Sequence, residues 1–152
     1  MRIRPATADD VRAIVELLAA DQLGAGREDT SDPLPAEYGT AFEAIDRDPN
    51  NLLAVVEADA RVVACMQLTF IPYLTHRGSW RAQIEGVRVA ADQRGHGVGR
   101  ELMLWAIAQA RDRGCRLVQL TSNRTRGDAH RFYTSLGFEL THEGFKLHLD
   151  PD

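Results

Sequence analysis

Residues 93–100 read Gln-Arg-Gly-His-Gly-Val-Gly-Arg, with Gly95, Gly97 and Gly99 on alternate positions between Arg94 and Arg100. An apolar run, VRVA, precedes the stretch, and ELMLWAIAQA follows it. Glycine lets the backbone approach a ligand closely and accepts positive φ. The first N–H groups of a helix have no internal partner and carry partial positive charge. A glycine turn opening a helix therefore makes a cradle for an anion, phosphate above all, and two flanking arginines deepen it. The bland alternative is a tight strand-to-helix turn. Three glycines at this spacing, between basic residues, favour a ligand.

Two familiar phosphate loops do not fit. A nucleotide P-loop needs Gly-Lys-Ser or Gly-Lys-Thr, whereas Gly99 is followed by Arg100 and Glu101. A dinucleotide fingerprint counted from Gly95 needs glycine where Arg100 stands. His76, His96, His130, His142 and His148 show no metal-ligand spacing, so no metal is expected. Cys65 and Cys115 sit in apolar runs without CxxC spacing and read as small hydrophobes.

The elements that must hold this turn follow from periodicity. Residues 2–4 read as a strand closed by Pro5. Thr7 offers an N-cap, and Val11, Ile14, Val15 and Leu18 repeat at helical spacing until Gly24 and Gly26. The polar stretch 26–35, broken by Pro33 and Pro35, reads as a loop, and 36–46 as a second helix. Residues 52–57 and 62–71 form an expected hairpin around Ala58-Asp59-Ala60, with Val62, Ala64, Met66, Leu68 and Phe70 sharing a face. A strand over 83–89, a helix over 99–111, a strand over 116–121 and a helix over 128–136 follow. Two closing strands are expected at 138–140 and 144–149. The order is β-α-α-β-β-β-α-β-α-β-β, and the strand-helix-strand unit over 83–121 demands a parallel pair or a crossover.

The bulk properties set limits. A chain of 152 residues suits one domain, 1–152, with a core of its own. Net charge −4 argues against a general nucleic-acid binder. No apolar run reaches membrane-spanning length, and MRIRPATADD does not read as a signal peptide. The expectation is a cytoplasmic protein with no nucleic-acid or membrane partner.

Arg94-x-x-Gly97-x-Gly99, at a strand-to-helix junction, resembles the pyrophosphate-binding signature of the GNAT (Gcn5-related) N-acetyltransferases. Ile84-Glu85-Gly86-Val87-Arg88-Val89 resembles that family's fourth strand. Ala129-His130-Arg131-Phe132-Tyr133-Thr134-Ser135-Leu136-Gly137-Phe138 resembles its closing A-x-x-F-Y-x-x-x-G-F block. The resemblance implies an α/β GNAT fold: a mixed, mostly antiparallel sheet of about seven strands flanked by about four helices. It further implies an acyltransferase that moves an acetyl group from acetyl-CoA, as co-substrate, to a primary amine by direct attack in a ternary complex.

Residue by residue, the resemblance implies that Tyr133 protonates the departing sulfur, the alternative being a tyrosine that packs beside Phe132. It implies that Glu85 serves as base, against a cross-strand charge. Glu85 shares parity with Val87 and Val89, so it leaves the apolar face only if the strand bulges near Gly86. Val87, Arg88 and Val89 would offer backbone groups to the pantetheine arm. Arg94, Gly95, His96, Gly97, Val98, Gly99 and Arg100 would hold the pyrophosphate. Asn123 matches a CoA-contacting asparagine and also reads as a turn or cap residue.

The block TSNRTRGDAHRFYTSLGF resembles that of aminoalkylphosphonate and similar small-amine N-acetyltransferases, so a small-molecule amine is expected, with Arg77, Arg124 and Arg126 available to an anionic group. Tyr73 and Trp80, in the loop before the 83–89 strand, are candidates for acceptor selection. A protein lysine or N-terminal amine is the rival acceptor, and a non-catalytic acyl-CoA sensor the rival class. Dimers are common among such relatives, so a homodimer is included among the expected states.

Overall fold

The structure is a computed structural model that describes residues 1–150. The chain divides into two compact units, Met1–Leu120 and a second beginning at Thr121. In the first unit the order is β1 (Arg2–Pro5), α1 (Val11–Ala19), α2 (Gln22–Ala25), α3 (Ala36–Arg47), β2 (Asn51–Ala58), β3 (Arg61–Pro72), α4 (Thr75–Gly78), β4 (Trp80–Val89), α5 (Val98–Asp112) and β5 (Cys115–Leu120), with 3-10 turns at Ala8–Asp10 and Ala91–Gln93. The second unit holds α6 (Gly127–Ser135).

The five strands form one sheet in the order β1-β2-β3-β4-β5. The first three pairings are antiparallel; β4 and β5 run parallel, joined by α5. That is the crossover the order of elements requires. The β2–β3 turn places Asp59 and Ala60 at φ 50° and 59°, the primed-turn geometry that matches strand twist.

Alternation decides the two faces. Ala64, Met66, Leu68 and Phe70 of β3 are essentially fully buried, and α5, which brings Leu102, Met103 and Ala106 into the core, packs on β3, β4 and β5. Ala6, Ile14, Val55 and Cys65 form a cluster on the other face, flanked by Leu17, Leu18, Phe42, Leu53 and Val62. Val62 leaves the β3 stripe expected for it because the β2–β3 register shifts after Val56, which resets side-chain parity. Arg4 ties β1 to this edge: its Nη1 donates to Asp10 (2.7 Å) and its Nη2 to Glu57 (2.8 Å). The Arg4 hydrogen bonds, with that from the Thr7 N–H, hold the Asp10 carboxyl down at about 2 against the opposing effect of burial.

Three expectations need correction. The sheet has five strands among the described residues, where about seven were expected. Residues 138–149 alternate in the sequence but form no strand: Leu140, Phe145, Leu147 and Leu149 are 84–94% exposed. Alternation supplies a face, but a strand also needs a neighbouring edge and a core to cover. Four helices have nine or more residues, as expected, and two single-turn helices, α2 and α4, add to them. The helix expected to run toward Gly24 ends at Ala19, and Asp21 then caps a separate turn, its Oδ1 accepting from the Gly24 N–H.

Candidate active site

β4 changes character at its middle. From Trp80 to Ile84 it is paired on both sides, with Pro72–Leu68 of β3 and with Cys115–Leu120 of β5. The β5 register ends at Ile84–Leu120, so residues 85–89 keep β3 on one side and have no strand on the other among the described residues. The β3 register also slips here: Gln67 faces Glu85 and Cys65 faces Arg88, which sets two β4 residues opposite Met66. That is a bulge, and Gly86 sits in it at φ +63°. The bulge expected near Gly86 is present, and it resets parity so that Glu85 and Arg88 lie on the same face as Gln67 and Cys65. Glu85 is exposed there.

Past Val89 the chain turns through Ala91–Gln93 into Arg94, Gly95 (φ +78°), His96 and Gly97 (φ +83°), and α5 begins at Val98 with Gly97 as its N-cap. A Cβ at Gly95 or Gly97 would meet nothing within 4 Å, so the left-handed backbone, not crowding, requires glycine. The outer side of the turn is open. The Glu101 N–H closes the first helical bond, onto Gly97 O at 3.0 Å. The N–H groups of Val98, Gly99 and Arg100 precede it at the positive end of a 15-residue helix. Val98 is buried and anchors the turn, whereas Arg94, His96 and Arg100 are exposed. Arg94 reaches back, its Nε donating to Val89 O at 3.2 Å.

The sheet face that carries Glu85 is apolar around Cys65 and Val55 and turns polar toward β5. Gln67 and Thr69 both donate to Asn51 Oδ1 at 2.9 Å, and Gln119 donates to Gln83 at 2.7 Å. Beyond them Arg81 stacks on the Tyr73 ring, 4.7 Å from its centroid, and the Tyr73 hydroxyl is buried without a hydrogen-bond partner among the described residues. Trp80 stands at the surface, and Arg77 lies in the α4 turn at φ +62°.

The sequence reading missed Asp21. Its Oδ2 lies 3.2 Å from Arg88 Nε as an ion pair whose N–H is not aligned for a hydrogen bond. Arg88 Nη1 in turn donates to Val87 O at 2.8 Å. The only signal was an aspartate three residues before a glycine, a cap pattern. Cys65 also faces the bulge, its Sγ 3.6 Å from Gly86 O. Burial pushes this thiol up to about 12, so it stays protonated and donates.

In the second unit Tyr133 is half-buried on α6, with ring centroids of Phe132 and Phe138 at 5.3 and 6.0 Å. Asn123 Oδ1 accepts from the Thr125 N–H (3.0 Å) and hydroxyl (2.8 Å), the turn role weighed for it from the sequence. Arg124 reaches Glu143 at 3.6 Å with both side chains largely exposed, and Arg131 pairs with Asp128. Among the described residues no group of three His, Cys, Asp or Glu is placed to hold a metal ion, and no helix is long and apolar enough to cross a membrane.

A sheet that opens along one strand, feeding a glycine turn at a helix N-terminus, defines a class, and the comparisons agree. The family model for the acetyltransferase (GNAT) family matches residues 13–138. The chain belongs to the GNAT family, and it is an acyltransferase. It is 33% identical over 108 residues to the aminoalkylphosphonate N-acetyltransferase of Salmonella typhimurium, covering 71% of this chain and 70% of that one. A Bacillus halodurans crystal structure, described as a transcriptional regulator, is 49% identical, with TM-score 0.95 over 97% of this chain and 99% of its own. A Clostridium acetobutylicum protein solved with acetyl-CoA shares the fold, with TM-score 0.73 at 19% identity over 97% and 96% of the two chains.

Proposed function

We propose that the chain transfers the acetyl group of acetyl-CoA to a small-molecule primary amine by direct attack. The observation that carries this reading is the run from the open edge of β4, residues 85–89, into the turn at Gly95 and Gly97. The main chain of residues 87–89, on the side of β4 away from β3, takes the amide-bearing pantetheine arm as an added strand. The Val87 and Val89 carbonyls already accept from Arg88 and Arg94, and each keeps a second lone pair. The N–H groups of residues 95–100, with Arg94 and Arg100, take the pyrophosphate. The acetyl-CoA-bound Clostridium relative supports the cofactor by fold, and Asn123 contributes a further contact.

In the reaction, the acceptor nitrogen loses a proton to Glu85, directly or through water, and attacks the thioester carbon. The C–S bond breaks, the thiolate takes a proton from the Tyr133 hydroxyl, and the extra proton on the acylated nitrogen passes through water to the Tyr133 phenolate, leaving a neutral amide and a free thiol. The Salmonella relative supports a small amine, one carrying a phosphonate included. A single N-acetyltransferase domain is part of this reading, and the free cysteines suit the cytoplasm. A homodimer is part of this reading.

The test is thiol release from acetyl-CoA with a panel of aminoalkylphosphonates, polyamines, amino sugars and lysine peptides. A small amine should accelerate release, and Tyr133→Phe should lower turnover by about 10²-fold with acetyl-CoA affinity kept. Unchanged turnover in that variant would remove Tyr133 from the mechanism. The description of the Bacillus halodurans protein favours a second reading, an acyl-CoA-responsive regulator. Tight CoA binding with no amine accelerating release would select it, and preference for lysine peptides would select protein acetylation.

A further inference from the structure

The bulge in β4 is held from outside the strand. Asp21 stands at the corner between α1 and α2 with its two carboxylate oxygens divided between tasks. Oδ1 caps α2 through the Gly24 N–H, and Oδ2 pairs with Arg88. Gly24 is buried, and a Cβ there would fall 1.8 Å from Leu18 O, so the corner has one tight geometry. Leu18, from the end of α1, lies against one side of the bulge, its Cδ2 3.8 Å from where a Gly86 Cβ would stand. Arg88 completes the link by donating to Val87 O, and Cys65 donates to Gly86 O from β3. Both side chains of the Asp21–Arg88 pair are only 17% exposed. Such a pair is little screened by water, and each charge is costly to leave alone.

We infer that the Asp21–Arg88 pair is a positioning device: it clamps the α1–α2 corner to the β4 bulge and so fixes the direction of Glu85 and the carbonyl of Val87. The geometry gives each part a reason. A bulge beside an unpaired edge has one neighbour strand fewer to hold it, so its backbone must be fixed by side chains. An arginine does this in one piece, because its planar fork meets a carboxylate with one nitrogen and a carbonyl with another. Neither residue touches the reacting atoms; both act through the backbone of residues 85–87. The inference rests on the acetyltransferase reading for its effect on rate, but not for its effect on structure.

Two substitutions separate the clamp from general stability. Asp21→Asn keeps an oxygen to cap α2 but removes the charge. Arg88→Lys keeps the charge but loses the fork that spans Asp21 and Val87 O. Both should lower kcat by about 10-fold or more, since misplacement of about 1 Å costs up to 10²-fold, and should raise KM for acetyl-CoA, because the Val87 carbonyl offered to the pantetheine arm moves with the clamp. The double variant Asp21→Asn/Arg88→Lys should cost less than the product of the two single losses, as expected of residues in contact. Backbone amide exchange at Gly86 and Val87 should quicken in each variant, whether or not any amine is acetylated. Lowered thermal stability with kcat and amide exchange unchanged would make the pair merely structural and overturn the inference. Quickened exchange in an enzyme inert toward every amine would keep the clamp and discard the acetyltransferase reading.

Discussion

Residues 80–84 of β4 and residues 85–89 of the same strand share a backbone and a neighbour in β3, and they differ in what lies on their other side. The first half is paired with β5 and buries Ala82 and Ile84 to 0% and 2% exposure. The second half has no strand there among the described residues, carries a bulge, and leaves Glu85 and Gly86 exposed. A paired, buried segment gains stability from apolar contact and closed hydrogen bonds. An open segment gives up part of both and keeps main-chain groups free for a ligand. On the proposed reading, folding falls to one half of the strand and binding to the other.

Substitutions can break that division. Ile84→Ala, in the paired half, removes a fully packed side chain and should cost about 2–5 kcal/mol in denaturant unfolding. The affinity of the folded protein for acetyl-CoA should not change. A loss of affinity without a loss of stability would merge the two halves. Gly86→Ala, in the open half, places a Cβ at φ +63° and should cost about 1–2 kcal/mol. Its larger effect should fall on kcat, measured by thiol release, because relief of the strained backbone shifts the main chain beside Glu85 and exchanges the faces of Val87 and Arg88. Full turnover in the Gly86→Ala variant would show that the bulge does not aim Glu85.

The sequence made the paired half and the glycine turn legible because both rest on local rules. Apolar alternation marks a strand, and glycine before a helix marks a left-handed N-cap, as Gly97 proves to be. The bulge was legible only as the consequence of a parity conflict at Glu85. Asp21 was not, because its partner Arg88 is far along the chain, and no periodicity reports a contact between a helix corner and a strand. Residues 144–149 failed in the opposite way. Phe145, Leu147 and Leu149 carry the alternation of a strand, but a strand is a property of two segments, and these side chains are exposed. Tyr133 was marked through its motif alone; its ring packing against Phe132 and Phe138 follows from the helix and the Gly137 turn.

The claim on which the rest depends is that the open half of β4 and the turn after it receive the CoA moiety. A calorimetric titration of acetyl-CoA into the wild-type protein and into Gly97→Asp tests it most directly. The variant puts a carboxylate at the mouth of the turn and strains a backbone held at φ +83°. Saturable binding by the wild type and its loss in a variant that remains folded is the predicted result. Equal affinity in the two proteins would contradict the account.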